Sequence, residues 1–394
     1  MTRAMLRPSA TCRYAAMAGL LFGCATLLPA EIPTPSPLAE ADLGLPTWTT
    51  TVDLKTGAGY RRNLLLSPTG AENSSLVRAE LEVLALKVPV GHFDGYAYAT
   101  FTETRFLADA STDHERTAIV AGEARWQPPS AVKAGWSIQA YHQDQVFDVS
   151  LTEAELSTAQ LKITGFATGP NVAIHAGPGR LEARLIGRRD RYARELDGYD
   201  EGEGSLKLAF PLGERLEFAI TGSRRARHHD SRPQFTVSGR PISGSLLETT
   251  QSGYQADLVW NLDCESKRRL TATGGEQTSR DNGSGYFDYQ RDFARLQFAD
   301  RTDRWEYEIT GEFNDYRFPS QFIGIGIDPE LRRKREVRLA AEVSRELTDR
   351  LAAFFVVEHE RSTSNDDRSR FTTATYLVGL KLSWDSLDSL LATP

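Results

Sequence analysis

The chain has 394 residues, a formal net charge of −7 and a mean hydropathy of −0.40. A mixed, slightly acidic balance argues against nucleic acid as a partner. So low a hydropathy excludes a helical membrane bundle, but not a β-barrel, in which only alternate residues face lipid.

Residues 1–30 read as a secretory leader, with Arg3, Arg7 and Arg13 as a basic start. The apolar stretch from Ala15 to Leu28 is too short to span as a helix, and cleavage is expected after Ala30. A second reading takes Leu21-Phe22-Gly23-Cys24 as a lipobox with Cys24 lipidated, although Phe22 fits poorly and the apolar run continues past it. Cleavage after Ala30 removes Cys12 and Cys24 and leaves Cys264 alone, so no internal disulfide is expected. Cys264 sits in a charged turn with no Cys-x-x-Cys and no nearby histidine to support redox or catalytic work. Residues 31–45 form a Pro-rich periplasmic lead-in, too short for the plug of an active transporter.

From residue 46 to 384 no stretch of useful length has helical periodicity. Segments of about ten residues instead alternate apolar and polar side chains, as membrane strands do. Val77, Ala79, Leu81, Val83 and Ala85 point one way, and Arg78, Glu80 and Glu82 the other. Leu181, Ala183, Leu185 and Gly187 alternate with Glu182, Arg184 and Arg188; Leu206, Leu208 and Phe210 oppose Glu203, Ser205 and Lys207. Tyr376, Val378, Leu380, Leu382 and Trp384 oppose Thr375, Lys381 and Ser383. Trp48, Trp126, Trp136, Trp260, Trp305 and Trp384 all fall at the short-turn end of expected strands. A ring of indoles at one height is what a membrane–water interface selects.

Connections alternate in length. Short links are expected at Val88–Phe93, Pro128–Lys133, Ala176–Arg180, Pro211–Glu214, Asp263–Arg268, Asp300–Asp303 and Glu346–Arg350. Long polar segments lie at Asn63–Ser75, Ala108–Arg116, Asp148–Ser157, Ala193–Asp200, Ala226–Ser245, Ser279–Ser284, Pro319–Glu330 and Ser362–Arg370. Seven short and eight long connections imply an all-β, antiparallel transmembrane barrel of about 16 strands, with 14 as the alternative and both ends periplasmic. A soluble sandwich would have strands of about 5–6 residues and unsorted connections, and a solenoid would show a fixed repeat.

The segment Tyr376-Leu377-Val378-Gly379-Leu380-Lys381-Leu382-Ser383-Trp384 resembles the C-terminal signal by which bacterial outer-membrane barrels are recognised for insertion. Gly379, Leu382 and Trp384 match it; the chain then adds a periplasmic tail, 385–394, where such barrels usually end on the aromatic. Gly57-Ala58-Gly59-Tyr60 through Leu66, and Asp281-Asn282-Gly283-Ser284-Gly285-Tyr286-Phe287-Asp288-Tyr289, resemble pieces of uncharacterised porin-like proteins. The resemblance implies a Gram-negative outer membrane, with membrane lipid and the barrel insertion machinery as partners and a homo-oligomer left open.

If the alternation holds, Arg78, Glu80, Glu82, Glu123, Arg125, Lys162, Glu182, Arg184, Arg188, Lys207, Arg291, Arg295, Glu306, Glu308, Glu312, Arg338 and Glu342 face a lumen. An Arg or Lys facing hydrocarbon at the midplane costs about 2–4 kcal/mol, so this many charges cannot face lipid. They either line a water-filled passage or close the lumen with Arg–Glu pairs that only stabilise the wall. The apolar Phe322, Ile323, Ile325 and Ile327 allow the loop Pro319–Glu330 to enter the lumen, pack on a neighbouring subunit, or pack on other loops.

His228-His229-Asp230 and Tyr141-His142-Gln143-Asp144 hint at metal or hydrolase chemistry. Adjacent side chains on an extended chain point to opposite faces, and nothing fixes nucleophile, base and orienting acid together. Ile323-Gly324-Ile325-Gly326-Ile327 lacks the helix and lysine of a phosphate cradle. No catalytic residue, metal or cofactor is expected. Passive diffusion of small hydrophilic solutes is the leading reading, ahead of a non-conducting anchor or export platform and of a barrel hydrolase.

Overall fold

The computed structural model describes residues 48–108, 111–150, 158–193, 197–263, 267–323 and 329–386. The leader, the lead-in, the tail beyond Ser386, Cys264, Ile325 and Ile327 lie outside these residues. The chain runs as β1 (Trp48–Arg62), β2 (Ser74–Val90), β3 (Phe93–Phe106), β4 (His114–Trp126), β5 (Val132–Asp148), β6 (Thr158–Ala176), β7 (Gly179–Tyr192) and β8 (Tyr199–Pro211). It continues as β9 (Leu216–His229), β10 (Glu248–Asn261), β11 (Arg268–Asp281), β12 (Tyr289–Arg301), β13 (Trp305–Ile323), β14 (Glu330–Glu346), β15 (Leu351–Ser364) and β16 (Phe371–Asp385). A 3-10 turn, Asp367–Ser369, precedes β16.

Each strand pairs antiparallel with the next, and β1 pairs with β16 from Thr51↔Asp385 to Arg62↔Ala374, so the sheet closes. Closure matters because the bilayer core offers backbone groups no water, and a closed sheet leaves no edge unpaired. The strands number sixteen, and the seven short and eight long connections separate the two ends as the spacing predicts. Gly91, Gly177 and Gly213 supply the positive φ that the tight turns need.

Two faces follow from the two-residue period. On one, Val77, Leu81, Val120, Ile138, Leu185, Leu206, Ile220, Leu258, Leu296, Ile309, Leu339, Phe355 and Val378 stand exposed all round the cylinder. On the other, Lys55 reaches Glu342 at 2.6 Å and Arg78 reaches Glu358 at 3.6 Å. Each pair joins strands three apart in the barrel, so it closes across the interior. The apolar face is therefore the outer one.

On β13 the outward residues Trp305, Tyr307, Ile309, Gly311 and Phe313 precede Asp315. Ten residues at about 3.3 Å each, tilted by about 40°, give a greasy band roughly 25 Å tall. Strands of 13 to 19 residues overshoot it, and the excess lies at the long-loop end.

Two long loops are shorter than the sequence suggests. β9 continues to His229, and β13 continues through Pro319 to Ile323, which places Phe322 and Ile323 in a strand. Proline cannot donate to a ladder, and the register shifts between Arg317 and Phe322, where Pro319 sits.

Candidate functional site

Outside and inside of the cylinder demand different chemistry, so the site is built from the inward face. Sixteen of the seventeen charged residues assigned to the lumen lie on it. Arg78 and Glu80 are buried, and Glu82 is partly exposed. Arg125 meets Asp94 at 2.7 Å, and Glu123 accepts from Asn171 at 3.2 Å. Arg184 donates to the Ser137 hydroxyl at 3.2 Å, Arg188 lies 3.6 Å from Glu201, and Glu182 lies 3.9 Å from Arg180. Arg291 bonds Asn314 at 2.7 Å, Arg295 meets Glu312 at 3.4 Å, and Gln297 holds Glu308 at 2.8 Å. Arg338 pairs with Glu360 at 2.9 Å, Glu342 with Lys55, and Lys207 and Glu306 are half-buried on the same face.

Lys162 is the exception, and its assignment to the lumen is corrected. It stands on the outer wall, 3.1 Å from Asp144, while its neighbours Leu161 and Ile163 are buried inward. The physical reason is an apolar cluster inside the barrel, in which Tyr141, Leu161 and Ile163 pack with Val149 just past β5. The usual sense of the alternation is reversed at this height.

The chain at Asp148–Ser150 also reaches the opposite wall. Lys334 of β14, wholly buried, bonds Asp148 at 2.5 Å, Glu336 at 2.7 Å and the Ser150 hydroxyl at 3.3 Å. Arg332, two residues away, donates to the Ser150 carbonyl at 2.8 Å, to Gln321 at 2.9 Å and to the Ser369 hydroxyl at 2.8 Å. Its guanidinium also lies 4.6 Å from the Phe318 ring centre. β5 and β14 are seven strands apart around the wall. These bonds therefore fasten the end of β5 and Ser150, just past it, to the far wall.

A second fill comes from the first long loop. Asn63 and Leu66 adopt positive φ, and the Asn63 amide holds the turn through Ser67 and Thr372 carbonyls at 2.8 and 3.1 Å. Leu64 then packs with Leu76, Phe106, Phe354 and Leu377, and Leu66 with Val146 and Phe371.

Opposite these, Glu201 accepts from Arg227 at 2.8 Å with Arg225 3.4 Å and Arg188 3.6 Å away, while Arg225 bonds Glu203 at 2.7 Å. The Arg227 guanidinium rests 4.0 Å over Tyr199, and the Tyr141 hydroxyl bonds Asp190. Three arginines on two glutamates make a firmly paired wall. The interior thus narrows towards the long-loop end. Towards the short-turn end it is wetter: Arg125, Lys381 and Asp53 keep 27%, 18% and 15% of their side-chain surface exposed.

The six tryptophans lie outward, at or near the short-turn ends of their strands, between 38% and 54% exposed. Leu382 and Trp384 share the outer face of β16 and Gly379 the inner. A Cβ on Gly379 would meet the Thr56 carbonyl oxygen at 2.0 Å and Phe354 at 2.7 Å, so the β1–β16 closure requires glycine there.

The histidines part company. His228 faces outward, 3.1 Å from Glu248, while His229 turns inward and packs edge-on against Tyr199. His142 is on the outer wall beside Thr164 at 3.0 Å. Among the described residues no group of three or more His, Cys, Asp or Glu is placed to hold a metal.

No known family profile and no curated relative matches the chain. Solved structures do. OccAB1 of Acinetobacter baumannii aligns with 86% of this chain and 97% of its own, at 10% identity and a TM-score of 0.49. OccAB4 of the same organism aligns over 86% and 98%, at 7% identity and 0.47. The outer membrane protein OprD of Pseudomonas aeruginosa aligns over 86% and 94%, at 10% identity and 0.45. The chain is similar to these outer-membrane barrels in fold. The fold itself rests on its own sixteen paired strands.

Proposed function

We propose that the protein is a porin-like barrel of the bacterial outer membrane that lets small hydrophilic solutes diffuse passively through a narrowed bore. The observation that carries this reading is the division of faces. The interior holds charged side chains from nearly every strand, and those towards the short-turn end keep contact with water. Water-accessible charges of both signs along a wall are what small polar solutes need to shed bulk hydration gradually. Leu64 of the first long loop and the chain at Asp148–Ser150 set an upper size limit at the other end. Liposomes carrying the purified protein should swell in small neutral sugars and not in large oligosaccharides. No swelling in any solute would defeat the reading.

One observation favours a second reading, a barrel that anchors or displays rather than conducts. Lys334, Glu336, Arg332 and Glu201 are buried and paired, as in a wall closed by ion pairs. The two readings separate on a single substitution. Lys334→Met should raise solute flux if the fastened loop merely narrows a passage, and leave flux at zero if the lumen is sealed along its length.

A further inference from the structure

Between the inward Arg291 and Arg295, β12 turns the half-buried Phe293 ring towards the bore. A ring on this face is not there to meet hydrocarbon. In the ladder it stands opposite Gly275 on β11 and Asn314 on β13. A Cβ on Gly275 would meet the ring at 2.7 Å and the Tyr254 carbonyl oxygen closer still. The ring therefore lies across the wall over Gly275, where no side chain fits beneath it. Asn314 also pairs with Glu336, one inward step on the short-turn side of Lys334. A solute leaving the narrowed end meets this stretch of wall next.

Beside the ring, the inward positions of β10 and β11 carry amides and hydroxyls. Gln277 donates to Gln251 at 3.0 Å, and Gln251 to the Tyr289 hydroxyl at 2.9 Å. On the short-turn side Thr273 and Gln255 both donate to Asp257, at 2.8 and 3.1 Å. A side-chain amide has two N–H donors and two lone pairs, so the partly exposed Gln251 and Gln277 have more to offer than these bonds use. The Arg291 guanidinium sits over part of the Phe293 ring, 4.9 Å from its centre. Each of its three nitrogens already donates to an amide oxygen: Nε and Nη2 to Asn314 at 2.9 and 2.7 Å, Nη1 to Gln277 at 3.3 Å. It presents no free fork to a carboxylate or phosphate.

We propose that Phe293 and its amide neighbours form a weak binding site for one neutral sugar ring on the diffusion path, which rests on the porin-like reading above. The face of an aromatic ring is negative and takes the C–H face of a pyranose. The sugar's hydroxyls, each donor and acceptor, match amides that are both. Successive inward positions on a strand lie about 7 Å apart, close to the width of one pyranose with its hydroxyls. An open-chain polyol has the hydroxyls without the flat C–H face, and an anionic sugar finds its cation already spent.

The test follows potassium chloride current through the full barrel in a planar bilayer as sugar is added. Glucose should interrupt the current at about tenfold lower concentration than mannitol, an open-chain polyol. Phe293→Leu should raise the half-blocking glucose concentration about tenfold, read against its own sugar-free current. Gln277→Met, which removes an amide, should raise it as well. Mannitol or glucuronate blocking as well as glucose, or a folded Phe293→Leu blocked as before, overturns the proposal. If Phe293→Leu does not fold, Gln277→Met and the glucose–mannitol comparison decide. A barrel that conducts undisturbed by glucose sinks this site and leaves the porin-like reading standing. A barrel that conducts nothing sinks that reading instead. The site is then judged by magnetic saturation transfer to glucose in nanodiscs: transfer lost in Phe293→Leu supports it, and no transfer to the wild type overturns it.

Discussion

At the scale of single residues, the account turns on a few side chains with no freedom to change. Lys334 is the clearest. Its ammonium is surrounded by Asp148, Glu336 and Ser150, and removing one partner of a buried pair costs about 3–5 kcal/mol because the other charges are left unpaired. Lys334→Met should therefore loosen the loop that begins at Asp148 without disturbing the backbone ladder. Single-channel current should rise, and Asp148→Asn should do the same in part. Gly379 is constrained differently. Because a Cβ there meets the Thr56 carbonyl, Gly379→Ala should lower stability by about 1–3 kcal/mol, seen as a lower temperature for losing the heat-resistant folded band on gels. Val378→Ala, on the open outer face of the same strand, should move that temperature far less.

Elements were legible where one face meets lipid. The alternation around Val77, Leu185, Leu206 and Val378 shows strand, face and register because hydrocarbon tolerates only apolar side chains. It fades above the band. Arg332, Lys334, Glu336 and Arg338 point inward between Arg333 and Arg335, which point outward into a polar layer, so no contrast marks the faces. Arg224 to His229 on β9 is hidden in the same way, and this is why Arg225 is missed and Arg227 is read as part of a loop at the outer mouth, not as a lumen charge. Lys162 shows the converse: an apolar cluster inside the barrel reverses the pattern, and only the packing of Val149 on Tyr141, Leu161 and Ile163 reveals it.

The loops carry a pH dependence of their own. Asp197, in the loop between β7 and β8, bonds the Ser231 amide at 2.6 Å, the Ser231 hydroxyl at 2.8 Å and the Arg232 amide at 2.8 Å. Burial works to raise its carboxyl, but these donors and the nearby His229 hold it below the ordinary 3.8. A depressed folded value means the tether is in full force above the unfolded pKa and weakens as pH falls through the lower folded one. Hydrogen exchange at Ser231 and Arg232, corrected for intrinsic rate, should therefore stay slow at neutral and mildly acidic pH and quicken below about pH 4. Asp197→Asn should be fast at every pH, and a wild-type protein indifferent to pH would count against this tether.

For the whole molecule, closure is the governing fact. A sheet joined from β1 to β16 satisfies its own backbone, exposes apolar side chains outward and gathers its charges within. On the proposed function, the bonds from Asp148 and Ser150, the packing of Leu64 and Leu66 and the inward ion pairs leave a small bore, not a wide one. The most direct test is the current through single barrels in a planar bilayer. The account predicts small, discrete, weakly ion-selective steps in the wild type and larger steps in Lys334→Met. Electrically silent bilayers for both proteins, after insertion is confirmed, would contradict it.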